Sequence, residues 1–338
     1  MAKILVTGGL GYIGSHTVVA LIDQGHQVSI IDDLSNSSLD VLEGIFKITG
    51  QNPDFQKLDL RQFDAVKSYF DVNKNIDGVI HFAASKAVGE SVENPLLYYH
   101  NNLTGMINLL RFVSASKFIF SSSCTVYGTP DTLPITELAP IKSAISPYGN
   151  TKQIGEEILR DVVKAEQNFS AIALRYFNPI GAHQSALIGE LPLGVPQNLV
   201  PFITQTAAGL RSAIQVYGND YETADGTCIR DYIHVMDLAE AHVVAVERLL
   251  NQKNNDRFEV FNIGTGAGCS VLEVIKSFER TTQVKLSYKF APRREGDVVE
   301  IYADTTKARD ILGWQASRNL DDSLKSAWLW EQHVRNIS

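Results

Sequence analysis

Three groups of residues in this chain have types and spacings that can do chemistry. The first is Gly8-Gly9-Leu10-Gly11-Tyr12-Ile13-Gly14. Glycines at 8, 11 and 14 permit a tight turn, let the backbone approach a pyrophosphate, and let the following helix sit close against the preceding strand. A helix opening there offers free N–H groups and the positive end of its dipole to phosphates. Asp32, 18 residues beyond Gly14, stands where an acid binds the adenosine ribose hydroxyls and repels a 2′-phosphate, which favours NAD over NADP. The second group is Tyr148-Gly149-Asn150-Thr151-Lys152, behind a serine cap and a first-turn proline (Ser146-Pro147). Tyrosine and lysine four apart share one helix face. A nearby ammonium, and the positive ring of an oxidised nicotinamide, favour the phenolate and pull the tyrosine below its ordinary value near 10. Lowering it by ~3 units takes roughly 4 kcal/mol, within reach of two close cations in a dry site, and gives a competent general base for a hydroxyl proton. The third group is Ser121-Ser122-Ser123. It ends a buried strand, and one of its hydroxyls can share a hydrogen bond with the tyrosine and a substrate oxygen.

The elements that must position these groups are legible as alternation. Lys3–Thr7, Val28–Ile31, Val79–Phe82, Phe118–Ser121 and Ala171–Tyr176 are short, apolar and rich in β-branched or aromatic residues, as strands buried on both faces are. Between them, Ser15–Gln24, Asn101–Ser114 and Thr151–Ala165 have helical spacing. Such alternation predicts an α/β fold, a Rossmann-like doubly wound parallel sheet whose ligands sit at the carboxyl edge of the strands. Residues 179–229 hold prolines at 179, 192, 196 and 201 and read as loops with short elements. Tyr232–Leu250 reads as a helix capped by Asp237, and Phe258–Ile263 as one more buried strand. The predicted division is an NAD-binding domain of residues 1–177 plus 230–263, with a smaller mixed α/β substrate domain of residues 178–229 plus 264–338.

Composition narrows the function classes. With 338 residues and 44% hydrophobic residues, the chain is an ordinary globular protein of about two domains. Thirty basic against 38 acidic residues give a net charge of −8, with no basic surplus for a nucleic-acid backbone. Three scattered cysteines without a paired motif fit free thiols in a reducing compartment. No apolar run approaches the ~20 residues of a membrane span, and the expected location is the cytoplasm. The eight histidines show no paired ligand spacing, so no metal is expected.

Longer blocks carry a family resemblance: Thr7–His16 (TGGLGYIGSH), His81–Pro95 (HFAASKAVGESVENP), Phe120–Gly128 (FSSSCTVYG), Ser146–Lys152 (SPYGNTK), Leu174–His183 (LRYFNPIGAH), Tyr217–Asp237 and Ala291–Asp297 (APRREGD). Through nearly its whole length the chain resembles the extended short-chain dehydrogenase/reductase family, most closely its UDP-hexose 4-epimerase branch. The resemblance implies that Tyr148 takes the proton of the sugar 4-hydroxyl, Ser123 holds the same oxygen, and Lys152 binds the nicotinamide ribose and depresses the tyrosine, all three touching the cofactor as well. It implies a 4-keto sugar that turns over within the site, with no net redox change. For the rest of the NAD pocket it implies Gly8, Gly11, Tyr12, Ile13 and Gly14 at the pyrophosphate, and Asp32 and Asn36 on the adenosine side. Asp59 and Leu60 would flank the adenine, and Phe82, Lys86, Asn101 and Phe177 would line the remainder. For the UDP-sugar it implies Asn178, Asn198, Leu199, Arg230, Arg294 and Asp297, with Tyr217 near the uracil. Many bacterial relatives carry a tyrosine at the position of Ile301, which implies a partly opened sugar pocket and slower action on UDP-N-acetylglucosamine and UDP-N-acetylgalactosamine. A homodimer through the helices at Val92–Ser114 and Thr151–Ala165 is also implied.

Two other readings compete. A nucleotide-sugar dehydratase or decarboxylase on the same scaffold needs an acid–base pair after the serine position, where this chain has Cys124-Thr125. A non-catalytic NAD-binding scaffold has no use for the serine, tyrosine and lysine together.

Overall fold

The computed structural model describes residues 1–294 and 297–337. Glu295 and Gly296 of the Ala291–Asp297 run lie outside the described residues. The central sheet has seven parallel strands. Six are β1 (Lys3–Thr7), β2 (Gln27–Asp32), β3 (Asp54–Lys57), β4 (Gly78–His81), β5 (Lys117–Ser121) and β6 (Ser170–Tyr176), and the seventh is Phe258–Ile263. Their spatial order is β3-β2-β1-β4-β5-β6 followed by the seventh strand beside β6. The order reverses between β1 and β4, the switch point where doubly wound sheets bind ligands.

Both faces of the sheet are covered, for a reason visible in the strands. In β1, Ile4 and Val6 pack with Ile30, Ile80, Val18 and Val246 on one face, while Leu5 packs with Ile31, Val79, Met106 and Leu159 on the other. All three β1 side chains have no exposed surface. Two-sided burial explains why these strands are apolar without alternation. Truncating Leu5 to alanine leaves a cavity costing about 2–5 kcal/mol. The exception is β3, whose Asp-Phe-Gln-Lys sequence sits exposed at the sheet edge and carries no apolar signal.

The first helix, α1 (Tyr12–Asp23), and the helix Val235–Leu250 cover one face; Phe63–Val72, Gly105–Phe112 and Pro147–Ala165 cover the other. Two helix predictions need correcting. Tyr232–His234 is strand, part of Ile229–His234, and the helix starts at Val235 with the His234 ring accepting from the Met236 amide. Asp237 is therefore not the cap; its buried carboxylate instead accepts from Ser317 and Arg318. The predicted Asn101–Ser114 helix is a wider π-type turn at His100–Thr104 followed by Gly105–Phe112.

The second segment builds its own sheet around Ile229–His234, flanked by Asn178–Ile180, Gly268–Ser270 and Glu300–Ile301. A separate core (Val200, Ile203, Val216, Ile275, Phe278, Leu324) lies beneath it. Among the described residues no helix is long and apolar enough to cross a membrane.

Candidate active site

Between the carboxyl ends of the strands and the second segment lies a cleft of about 2270 Å³. Residues following β1, β2, β4 and β6 line it, and helix Pro147–Ala165 contributes from the side.

The glycine turn forms one wall. Gly8 has φ +71°, which strains any residue with a Cβ, and its amide donates to the Ile31 carbonyl at 2.7 Å. A Cβ on Gly14 would lie 2.1 Å from the Gly8 carbonyl oxygen, so the turn closes on itself only without one. The helix behind it has Gly11 at its N-cap, no side-chain cap and no acidic residue in its first turn. The amides of Tyr12 and Ile13 are thus left for an anion, in the field of a 12-residue helix. This cradle fits a dinucleotide pyrophosphate.

Asp32 borders the same cleft, its carboxylate held by the Leu10 amide (3.0 Å), the Leu34 amide (2.9 Å) and the Ser37 hydroxyl (2.8 Å), with Asn36 alongside. Asp59 pairs with Arg61 through both oxygens, and the guanidinium holds its carboxyl below the ordinary range. Leu60 packs against Gly105, where a Cβ would come within 3.2 Å. Phe82 lies 4.6 Å from the His242 ring centre. Asn101 donates to Ser85 and to Asn102, and Asn102 donates in turn to Thr151 of the Pro147–Ala165 helix. Lys86 pairs with Glu190 at 3.0 Å.

Tyr148 and Lys152 are one turn apart near the start of the Pro147–Ala165 helix, which Ser146 caps by accepting from the Gly149 amide. Both are buried yet face the cleft. Lys152 donates to the Ser121 carbonyl at 2.8 Å and sits 5.8 Å from the Tyr148 ring centre. The three serines divide the work. Ser121 holds Lys152 by its carbonyl, the Ser122 hydroxyl donates to buried Glu156 at 2.8 Å, and the Ser123 hydroxyl accepts from the Thr125 amide.

The protein's own groups set the starting point for this pair. Burial pushes Tyr148 well above the ordinary phenol value and the neighbouring Tyr176 adds to it, while Ser123 acts the other way. Burial also lowers Lys152 to about 8. The protein's own groups therefore hold Tyr148 as a neutral phenol, because burial is the largest influence on it.

On the opposite wall, Arg230 and Arg294 share one carboxylate. Asp297 lies 3.7 Å from Arg230 and 3.0 Å from Arg294. Two guanidiniums against one acid leave an excess positive charge facing the cleft, suited to a diphosphate. Arg294 stacks 4.9 Å over the Tyr217 ring, and Asn178, Asn198 and Leu199 complete this side.

Three expected residues stand behind the wall. Phe177 and Ile301 share a buried apolar cluster with Cys124, Val126 and Tyr127, and Ile301 is fixed there by pairing with Arg230. Ser123 is also buried and does not line the cleft, with its hydroxyl beside Tyr148. Conversely, Tyr176 and Glu190 line the cleft without having been singled out. Tyr176 ends β6 as the serine run ends β5, and the same edge argument finds it. Glu190 lies in an irregular loop whose sequence has no comparable signal.

The family model described as GDP-mannose 4,6 dehydratase matches residues 5–327. UDP-glucose 4-epimerase of Bacillus subtilis (strain 168) is 50% identical over 331 residues, covering 97% of this chain and 96% of that protein. The crystal structure of UDP-glucose 4-epimerase from Stenotrophomonas maltophila, with bound NAD and formylated UDP-arabinopyranose, superposes with a TM-score of 0.95 at 46% identity and covers 100% of both chains. That from Bifidobacterium longum, in complex with NAD+ and UDP, gives a TM-score of 0.94 at 45% identity over 99% of this chain and 100% of the other.

Proposed function

The chain belongs to the UDP-glucose 4-epimerase (UDP-galactose 4-epimerase) family of extended short-chain dehydrogenases/reductases, and from this premise we propose that it interconverts UDP-glucose and UDP-galactose through a 4-keto sugar. One observation carries the reading. The Tyr148–Lys152 pair lies in one continuous cleft with the uncapped glycine turn and with the Arg230–Arg294 pair.

The glycine turn and Asp32 would hold NAD, which would supply a reversible hydride acceptor for C4 and a positive charge. The protein's own residues do the rest. Arg230 and Arg294 hold the diphosphate, supported by Asn178, Asn198, Leu199 and Asp297, with Tyr217 beside the base. Tyr148 accepts the 4-hydroxyl proton and later returns it. Ser123 favours the phenolate, and Lys152, largely protonated at pH 7 with its pKa near 8, adds to that once a second cation offsets the burial. Gly8, Gly11, Tyr12, Ile13 and Gly14 supply the pyrophosphate cradle. Asp32, Asn36, Asp59 and Leu60 form the adenosine end, and Phe82, Lys86 and Asn101 the remainder, with Phe177 packed behind the wall. Cys124-Thr125 after Ser123 offers no carboxylate for elimination, which disfavours a dehydratase. The test is direct: protein as purified, given UDP-galactose and no added nicotinamide, forms UDP-glucose. Absence of product on verified folded, NAD-containing protein overturns the reading.

Ile301 packs behind the wall and does not line the cleft, so a second activity on UDP-N-acetylglucosamine, slower than on UDP-glucose, rests on the family resemblance at this position. Ile301→Tyr lowers kcat/KM for the N-acetylated sugar by about 10- to 200-fold, the range one pocket group commands; an unchanged ratio removes Ile301 as the gate.

Further parts of the proposal are architectural. The two-domain division (1–177 plus 230–263; 178–229 plus 264–338) is supported by the separate cores, although Ile229–His234 is hydrogen-bonded into the second sheet. A homodimer is supported by Val92 and Leu96, 61% and 80% exposed on the Val92–Ser114 stretch. A cytoplasmic setting is supported by three cysteines that form no disulfide.

A further inference from the structure

The cleft is tied across at two points outside the reacting groups. Both ties run to the 181–190 loop. At its start, the Tyr12 hydroxyl donates to the Gly181 carbonyl at 2.6 Å, joining the first turn of α1 to the substrate segment. At its end stands Glu190, with one carboxylate oxygen accepting from Lys86 at 3.0 Å and from Asn198 at 2.8 Å. Lys86 follows β4 on the cofactor side, and Asn198 precedes helix Leu199–Ala207 on the substrate side. A single oxygen therefore touches one residue assigned to each ligand.

The backbone beneath this carboxylate is fixed. Trp330 of the C-terminal helix Leu320–Arg335 donates its indole N–H to the Glu190 carbonyl at 2.9 Å. Its ring lies where a Cβ on Gly189 would come within 2.4 Å, so only glycine lets the loop rest there. The Glu190 side chain is 11% exposed while its Lys86 partner is 47% exposed, so the acid is the more deeply buried member of the pair. Lys86 also lies 5.7 Å over the Tyr12 ring. Burial in the cleft works to lower the Lys86 pKa, but Glu190 more than offsets it and keeps the ammonium charged. Charge-assisted hydrogen bonds of this kind are roughly twice as strong as neutral ones.

We propose that Glu190 is a positioning residue that couples the two ligand sites, holding Lys86 and Asn198 in one register so that occupancy of the cofactor pocket strengthens UDP binding. The proposal rests on the reading of the cleft as an NAD and UDP-sugar site. Coupling of this kind is reciprocal and is measured as a ratio of affinities.

The experiment is calorimetric titration of UDP into NAD-loaded and NAD-free protein, for wild type, Glu190→Gln and Glu190→Ala. In the wild type, NAD is expected to tighten UDP binding at least ~5-fold, and the ratio falls below ~2-fold in both variants. Glu190→Gln keeps the side-chain volume, and its NAD-free form is expected to melt with the wild type, so that a misfolded alanine variant leaves the test intact. Glu190→Gln with the wild-type ratio overturns the proposal, as does a wild type that binds both ligands without coupling. Wild-type protein that binds neither NAD nor UDP overturns the functional reading itself, and this inference with it.

Discussion

The cofactor half and the substrate half of the cleft are built on different principles. The cofactor half is a property of local backbone: one glycine turn that a Cβ at Gly14 would obstruct at 2.1 Å, one uncapped helix start, and an acid at the end of the next strand. The substrate half is a convergence of side chains from segments up to 119 residues apart, from Asn178 to Asp297. Backbone demands leave a compact sequence pattern, because few residues satisfy them. Convergent side chains leave none, because any arginine in a long chain reads as a surface residue until the fold brings it to another.

The largest effect belongs to the place where the halves meet. Tyr148→Phe removes the phenol oxygen proposed as the base, and turnover is expected to fall by at least ~10², while UDP affinity stays near that of the wild type. A variant keeping more than a tenth of the activity breaks the assignment. Next is Arg230→Ala. It leaves Asp297 with one guanidinium and weakens UDP by about 10- to 100-fold, the worth of a hydrogen bond to a charged group, with NAD retention unaltered. A loss of NAD in this variant contradicts the separation of the halves. Asp32→Ala is the converse, lowering NAD affinity and the preference over NADP while leaving UDP binding alone. Its expected size is smaller because the glycine turn that cradles the pyrophosphate is left intact.

The smallest effect per group is at the seam, where His16 on α1 is electrostatically coupled to His183 and His234 of the substrate half. Burial lowers His16 to about 3, against which the Tyr12 carbonyl acts, and burial lowers His234 to about 4. Both folded values lie below the unfolded value near 6.5, so the unfolded chain binds more protons as pH falls. Their contribution is nil above pH 7. Stability then declines by under about 1 kcal/mol per histidine between pH 7 and 6, and more steeply below that until pH reaches the folded values of about 4 and 3. Urea unfolding midpoints at pH 7.5, 6.5 and 5.5 check the sign; a midpoint that rises toward acid contradicts it.

The same contrast governs what was legible in the sequence. Lys3–Thr7 and Phe258–Ile263 are strands with the predicted bounds, since two-sided burial forces their composition. Asp54–Lys57 was not visible because an exposed edge strand need not be apolar. The helix start at Val235 was missed because Ile229–His234 pairs with strands far away in sequence, which no local window sees. Ser146-Pro147 marked the Pro147–Ala165 helix correctly, and with it Tyr148 and Lys152. Spacing places Lys152 on the helix face of Tyr148 but does not show the burial that acts against the phenolate. Glu190 was beyond reach because its significance lies wholly in its partners.

The most direct test of the account is the fate of the hydrogen at C4. UDP-galactose deuterated at C4, incubated with the protein in ordinary water, is predicted to give UDP-glucose that keeps the deuterium at C4, at a rate that falls at least ~10²-fold in Tyr148→Phe. UDP-glucose carrying solvent hydrogen at C4 would show that the centre is inverted by proton exchange, and would contradict a hydride lent and returned within the cleft.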